Sequence, residues 1–177
     1  MHLNTKRLAF LSLLLAVTVL LVILSGVLEF NTLFLLAAAS FCVGIAIRES
    51  NLRYGVGFYI AAVLLSLILA PNKFYCITFS AMGLYIIVAE FSYDKMLLIK
   101  SVKNRKMILW LIKYVTFNAM YLAILLILPS LIYSGNIKPE ILAVLILVGQ
   151  IVLYVYDRAY YYVQKDIWSR ARIRFKL

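Results

Sequence analysis

Six long stretches of this chain carry no charged residue, and they use up nearly all of it. They are Leu8–Leu28, Phe30–Ile47, Tyr54–Asn72, Phe74–Ala89, Tyr114–Ile137 and Ile141–Tyr156, with lengths of 21, 18, 19, 16, 24 and 16 residues. A hydrocarbon core about 30 Å thick is crossed by roughly 17–25 residues of helix. The first three stretches meet that length directly. The two of 16 reach it when Glu90 and Asp157 sit at the interface, and the fifth begins near Met107 if Lys113 is tolerated inside. Only 14% of the 177 residues are charged and 66% are hydrophobic, against about 25% and 45–50% in soluble domains. Too few charges remain to cover a surface in water, so the apolar excess faces lipid. The expectation is an all-α membrane protein, one domain over 1–177, with spans at about 8–28, 30–47, 54–72, 74–90, 107–133 and 139–157. A basic tail over 158–177 completes it.

A cleaved secretory signal is the rival reading of the first span, because Lys6 and Arg7 precede its apolar run. The run exceeds the roughly 7–15 residues of a cleaved signal, and no A-x-A site closes it. The segment is therefore expected to stay.

The basic residues fix the expected orientation. Fifteen Lys and Arg lie before span one, between spans two and three, between four and five, and after six. The opposite loops hold only Lys73 and Lys138, and Lys113 is left inside a span. Lys and Arg in short loops mark the cytoplasmic side. Both termini are expected in the cytoplasm, in the cell membrane. The net charge of +11 thus points to anionic lipid, which attracts each such residue by about 1 kcal/mol, and not to nucleic acid. In the tail, Arg170, Arg172 and Arg174 interleave with Ile167, Trp168, Ile173 and Phe175, as in an arm that grips headgroups; contact with a cytoplasmic protein is the alternative. Tyr154, Tyr156, Tyr160, Tyr161 and Tyr162 gather at the end of span six, as aromatic belts do.

Catalytic chemistry finds little footing. His2 is the single histidine, and Cys42 and Cys76 are lone thiols in apolar spans, where such residues usually pack. There is no G-x-S-x-G, H-E-x-x-H or phosphate-cradling loop. The seven carboxylates form no acidic cluster of the kind that holds magnesium. No enzyme activity, cofactor or metal is expected.

Attention therefore falls on polar and small residues in the spans. Small-xxx-small pairs let helix backbones approach closely; they occur as Ser12/Ala16, Ser40/Gly44, Gly57/Ala61 and Ala62/Ser66, mostly in spans two and three. Spans one to three are expected to form a tightly packed half. Glu90, Lys113 and Asp157 share one depth, with Lys113 roughly 9 Å inside at 1.5 Å per residue. Lys113 either snorkels to the headgroups or pairs with Glu90, Asp157 or both. Asn118 and Gln150 lie near the midplane, and Tyr75, Thr78 and Ser80 lie in the outer half of span four. Midplane amides usually bond a neighbouring helix. The alternative is a ligand pocket among spans four, five and six, built from Tyr75, Thr78, Ser80, Asn118 and Gln150.

Several short motifs carry a family likeness: Thr5-Lys6-Arg7-Leu8-Ala9, Ala70-Pro71-Asn72-Lys73 leading into Ser80-Ala81-Met82-Gly83-Leu84-Tyr85, Phe117-Asn118, and Tyr156-Asp157-Arg158-Ala159. With the size and six spans, they resemble the S components of energy-coupling factor (ECF) transporters. More narrowly, they resemble members of unassigned substrate from low-GC Gram-positive bacteria. The resemblance implies an S-component-like bundle that captures a micronutrient from outside and docks on a coupling T subunit driven by two ATPases. Docking there uses an alanine-rich face of helix one; the matching residues here are Ala9, Ser12 and Ala16, with Leu13 where a second alanine would fall. The first outer loop, Gly26 to Asn31, is shorter than the lid that S components often place over the ligand. A charge-poor pocket suits a small, largely neutral ligand. The rod-shape-determining MreD proteins, structural partners without a transported substrate, are similar in length and span number and give the rival expectation of a membrane scaffold.

Overall fold

The computed structural model describes residues 5–98, 104–127, 139–170 and 172. All elements among them are helical: α1 (Thr5–Ser25), α2 (Thr32–Glu49), α3 (Leu52–Leu69), α4 (Lys73–Leu98), α5 (Arg105–Ile127) and α6 (Pro139–Tyr162). A 3-10 turn over Glu29–Asn31 precedes α2, and a π-helical turn over Val163–Trp168 continues α6. All six helices are long and apolar enough to cross a membrane, as a multi-pass membrane protein requires.

Local chemistry explains the breaks. Ala70, which precedes Pro71, is extended at φ −72° and ψ 136°, because the proline ring disfavours helical geometry in the residue before it. Asn72 then caps α4, its Oδ1 accepting from the Phe74 amide at 3.0 Å. Span three was expected to reach Asn72, but its helix ends at Leu69 for this reason. Pro139 opens α6, where its missing N–H costs no bond. No glycine or proline occurs between Gly83 and Pro129. Accordingly α4 does not stop at Glu90 but runs to Leu98, and α5 starts at Arg105. Charge marks where an apolar run ends, but charged residues such as Asp94 and Lys95 can continue a helix. The last six residues expected for span five, 128–133, lie outside the described residues.

The helices are unequal in burial. Half of the central window of α2 is buried, against 6% for α5 and 11% for α6. α2 packs on α1, α3 and α4, and α4 also touches α5. One core joins Val22, Leu36, Val43, Phe58, Ala62 and Phe79, so the packed half includes α4 as well as α1 to α3. A second core joins Phe41, Tyr85 and Ile86 to Leu153, Tyr156 and Tyr160 of α6. α6 is thus seated through long side chains.

Close approach is needed at Gly55, where an added Cβ would lie 2.9 Å from the Ile47 Cα; at Gly57 it would meet nothing within 4 Å. Gly55→Val should therefore push α2 and α3 apart and lower stability by about 1–3 kcal/mol. Gly57→Ala should leave the thermal midpoint in detergent unchanged or slightly raised. Equal effects at the two positions would contradict this packing.

Candidate functional site

The ion pairs among the described residues gather at the end of the bundle where α1 begins and α2 stops, called here the basic end. Arg48, on the last turn of α2, sends Nη2 to Glu90 Oε1 at 2.6 Å and Nε to both carboxylate oxygens at 3.1 Å. The Tyr160 hydroxyl donates to the same Oε1 at 2.6 Å. Glu90 is buried at 7% side-chain exposure, while Arg48 keeps 38%. A second pair lies beside the first. Lys113 Nζ contacts Asp157 Oδ1 at 2.6 Å, and the Tyr85 hydroxyl donates to that oxygen at 3.0 Å. The three residues expected as one cluster thus divide. Lys113 pairs with Asp157 and does not snorkel, while Glu90 turns to Arg48, which the sequence marks only as a loop cation.

Small residues on α2 make room for these contacts. Tyr156 faces Ser40, its hydroxyl 2.7 Å from Ser40 Oγ and 3.2 Å from the Met82 carbonyl. Tyr160 faces Gly44, where an added Cβ would collide with the phenol. The Ser40/Gly44 pair therefore receives side chains four residues apart on α6. Two of the five tyrosines expected in an interfacial belt, Tyr156 and Tyr160, are buried donors; Tyr154, Tyr161 and Tyr162 are exposed. In the sequence, the small pair Ser40/Gly44 and the matching four-residue spacing of Tyr156 and Tyr160 are the marks of this contact.

Helix continuation also alters the expected tail. Trp168 Nε1 donates to Glu49 Oε1 at 3.0 Å, Arg172 Nε lies 3.1 Å from that oxygen, and the Trp168 ring leans on Phe10 at 5.3 Å between centroids. This part of the segment after Asp157 covers the bundle's own end. Residues 173–177 lie outside the described residues.

The polar residues expected around a ligand are otherwise engaged. Gln150 Nε2 donates to Asn118 Oδ1 at 2.8 Å, and Asn118 Nδ2 reaches Gln150 Oε1 at 3.4 Å and the Tyr114 carbonyl at 2.9 Å. The two amides clasp α5 to α6. Ser80 donates to the Cys76 carbonyl at 2.7 Å and Thr78 to the Phe74 carbonyl at 3.4 Å, both within α4. Tyr75 packs against the first core. Asn118 and Gln150 are therefore brought together, but Tyr75, Thr78 and Ser80 do not join them. On α1, Ala9, Ser12 and Ala16 are exposed, and the Ser12 hydroxyl is satisfied by the Leu8 carbonyl at 3.0 Å. Among the described residues no three His, Cys, Asp or Glu are grouped to hold a metal ion.

What sequence reasoning missed is a cleft of about 580 Å³ between α1, α2 and α6. Phe34, Ala38, Phe41 and Ile45 form one wall, Ile151, Val155, Ala159 and Val163 the other, and Leu21 of α1 borders it. Pockets for small ligands span roughly 300–1,000 Å³. Tyr156 and Tyr160 set the separation of α6 from α2, and alanines at 37, 38 and 159 leave the space beside them unfilled.

The pairing pattern makes a specific claim about coupling. Lys113→Met strands Asp157 and should destabilise the fold, by less than the roughly 3–5 kcal/mol of a fully buried pair because Lys113 retains 23% exposure. Adding Asp157→Asn should recover part of that loss, whereas adding Glu90→Gln should deepen it. Thermal unfolding of the single and double variants in detergent decides the point, and additive losses in both doubles would refute the pairing.

Against protein-family models, curated proteins and solved structures, the chain finds no match.

Proposed function

We propose that this chain is the membrane-embedded binding subunit of an ECF-type importer, residing in the cell membrane with both termini in the cytoplasm. It captures a small, largely neutral ligand from outside and hands it on through a coupling T subunit with two ATPases. The observation that carries the reading is the ligand-sized cleft between α1, α2 and α6, which a purely structural subunit has no need to keep. Two further features support it. The motifs resembling S components extend over most of the sequence, and Ala9, Ser12 and Ala16 are turned outward on α1, where another membrane subunit can pack. Lys and Arg concentrated at the basic end support a cytoplasmic assignment of that end.

A second reading has its own support. The Asn118–Gln150 clasp commits the midplane amides to holding helices together, as suits an MreD-like scaffold that binds no small molecule. Docking separates the two. Ser12→Leu with Ala16→Leu should abolish co-purification of the coupling subunit and ATPases from native membranes. The thermal midpoint should stay within a few degrees, since both side chains point away from the bundle. Recovery of the ATPases in normal yield would overturn the importer reading, and recovery of cell-wall assembly proteins instead would favour the scaffold.

Orientation is tested independently. In a background lacking Cys42 and Cys76, Val27→Cys should react with an impermeant thiol reagent in whole cells. Asn51→Cys should react only after lysis. The reverse pattern would invert the topology.

A further inference from the structure

We infer that the occupant of the cleft between α2 and α6 is the hydrocarbon chain of a molecule that arrives from outside through the outer leaflet and enters sideways. The inference rests on the importer reading and names its substrate class. No charged residue lines the cleft, and its few polar atoms are already engaged: the Tyr156 hydroxyl by Ser40 and the Met82 carbonyl, the Cys42 thiol by the Ala38 carbonyl at 3.4 Å. A polar ligand would shed its water and find no partner in exchange. Charge matches by being absent on both sides.

Along α2 the wall runs from Leu33 to Ile45, about 18 Å at 1.5 Å per residue. A volume of about 580 Å³ over that length leaves a mean cross-section of roughly 32 Å². Carbon atoms pack at about 3.5–4.0 Å, so one extended alkyl chain takes roughly 15–20 Å². The cleft accommodates one or two such chains along its whole length.

At the mouth, Phe34 is 72% exposed and Ile151 64%, so the rim belongs to the same apolar surface that meets lipid. Along α2 the lining goes no further than Ile45, short of the Arg48–Glu90 pair, and the slot opens to the bilayer.

The probe is palmitate carrying a mid-chain diazirine, added to the full chain in phosphatidylglycerol nanodiscs and photolysed. Residues 34–45 and 151–163 should be labelled about ten-fold more than the exposed lipid face of α3 around Ile60 and Ile68, a preference of about 1.4 kcal/mol. Ala38→Trp, or Val155→Trp from the opposite wall, should erase the excess; the second variant guards against misfolding by the first. Equal labelling of α3, or excess labelling that survives both variants, overturns the inference. Coupling-subunit recovery is scored on the same preparations. In the unsubstituted chain, the absence of excess cleft labelling with ATPases still bound rejects the hydrocarbon substrate alone. Cleft labelling in a protein that never recovers them rejects the importer reading alone.

Discussion

Glu90 accepts hydrogen bonds from two other helices at once, and the seating of α6 depends on it. A carboxylate buried among apolar helices survives only if its charge is matched and its lone pairs are filled. Arg48 supplies the charge from α2, and Tyr160 supplies a neutral donor from α6. Because the tyrosine comes from α6, satisfying this one acid brings the helix alongside α2 and α4. Asp157 repeats the device in reverse, with the acid on α6 and its partners Tyr85 and Lys113 on α4 and α5. Each carboxylate binds one cation and one phenol, and each set spans three helices.

That arrangement gives the bundle two different kinds of cohesion. α1 to α4 share a continuous apolar core to which Phe58 and Phe79 add rings, with Gly55 against Ile47 and Ala62 and Ser66 fully buried. α6 meets them through rings and polar contacts. Aliphatic packing in lipid favours close contact along a whole helix, whereas polar contacts hold it at points. Space is left between the points, and the cleft is that space.

Much of the scaffold was legible because hydrocarbon imposes so few choices. Uninterrupted uncharged runs located all six helices, but the break that Pro71 imposes on the backbone leaves no mark on such a run, and span three was carried on to Asn72. The helix ends beyond Glu90 and Asp157 were not legible from charge, because Asp94 and Lys95 prolong α4 as readily as leucines do. Lys113 stood out as a charged residue inside a span, yet its partner could not be chosen among acids at one depth without knowing which helices are neighbours. Arg48 was overlooked for the related reason that a cation at a helix end has water as an alternative partner. Asn118 and Gln150 were recognisable as a pair in depth, while the sequence offered nothing to tell a clasp from an open pocket. The cleft was the least legible feature, since it arises from small residues on one helix facing tall ones on another.

Gly44 ties shape to charge. Its missing side chain is the space in which the Tyr160 phenol lies, and that phenol is one of the donors on Glu90. A single methyl group added there would displace the ring, strip the carboxylate of a donor and tilt the helix that walls the cleft. The electrostatic network can therefore be altered by a substitution between two uncharged residues, and the shape of the cleft by one that does not line it.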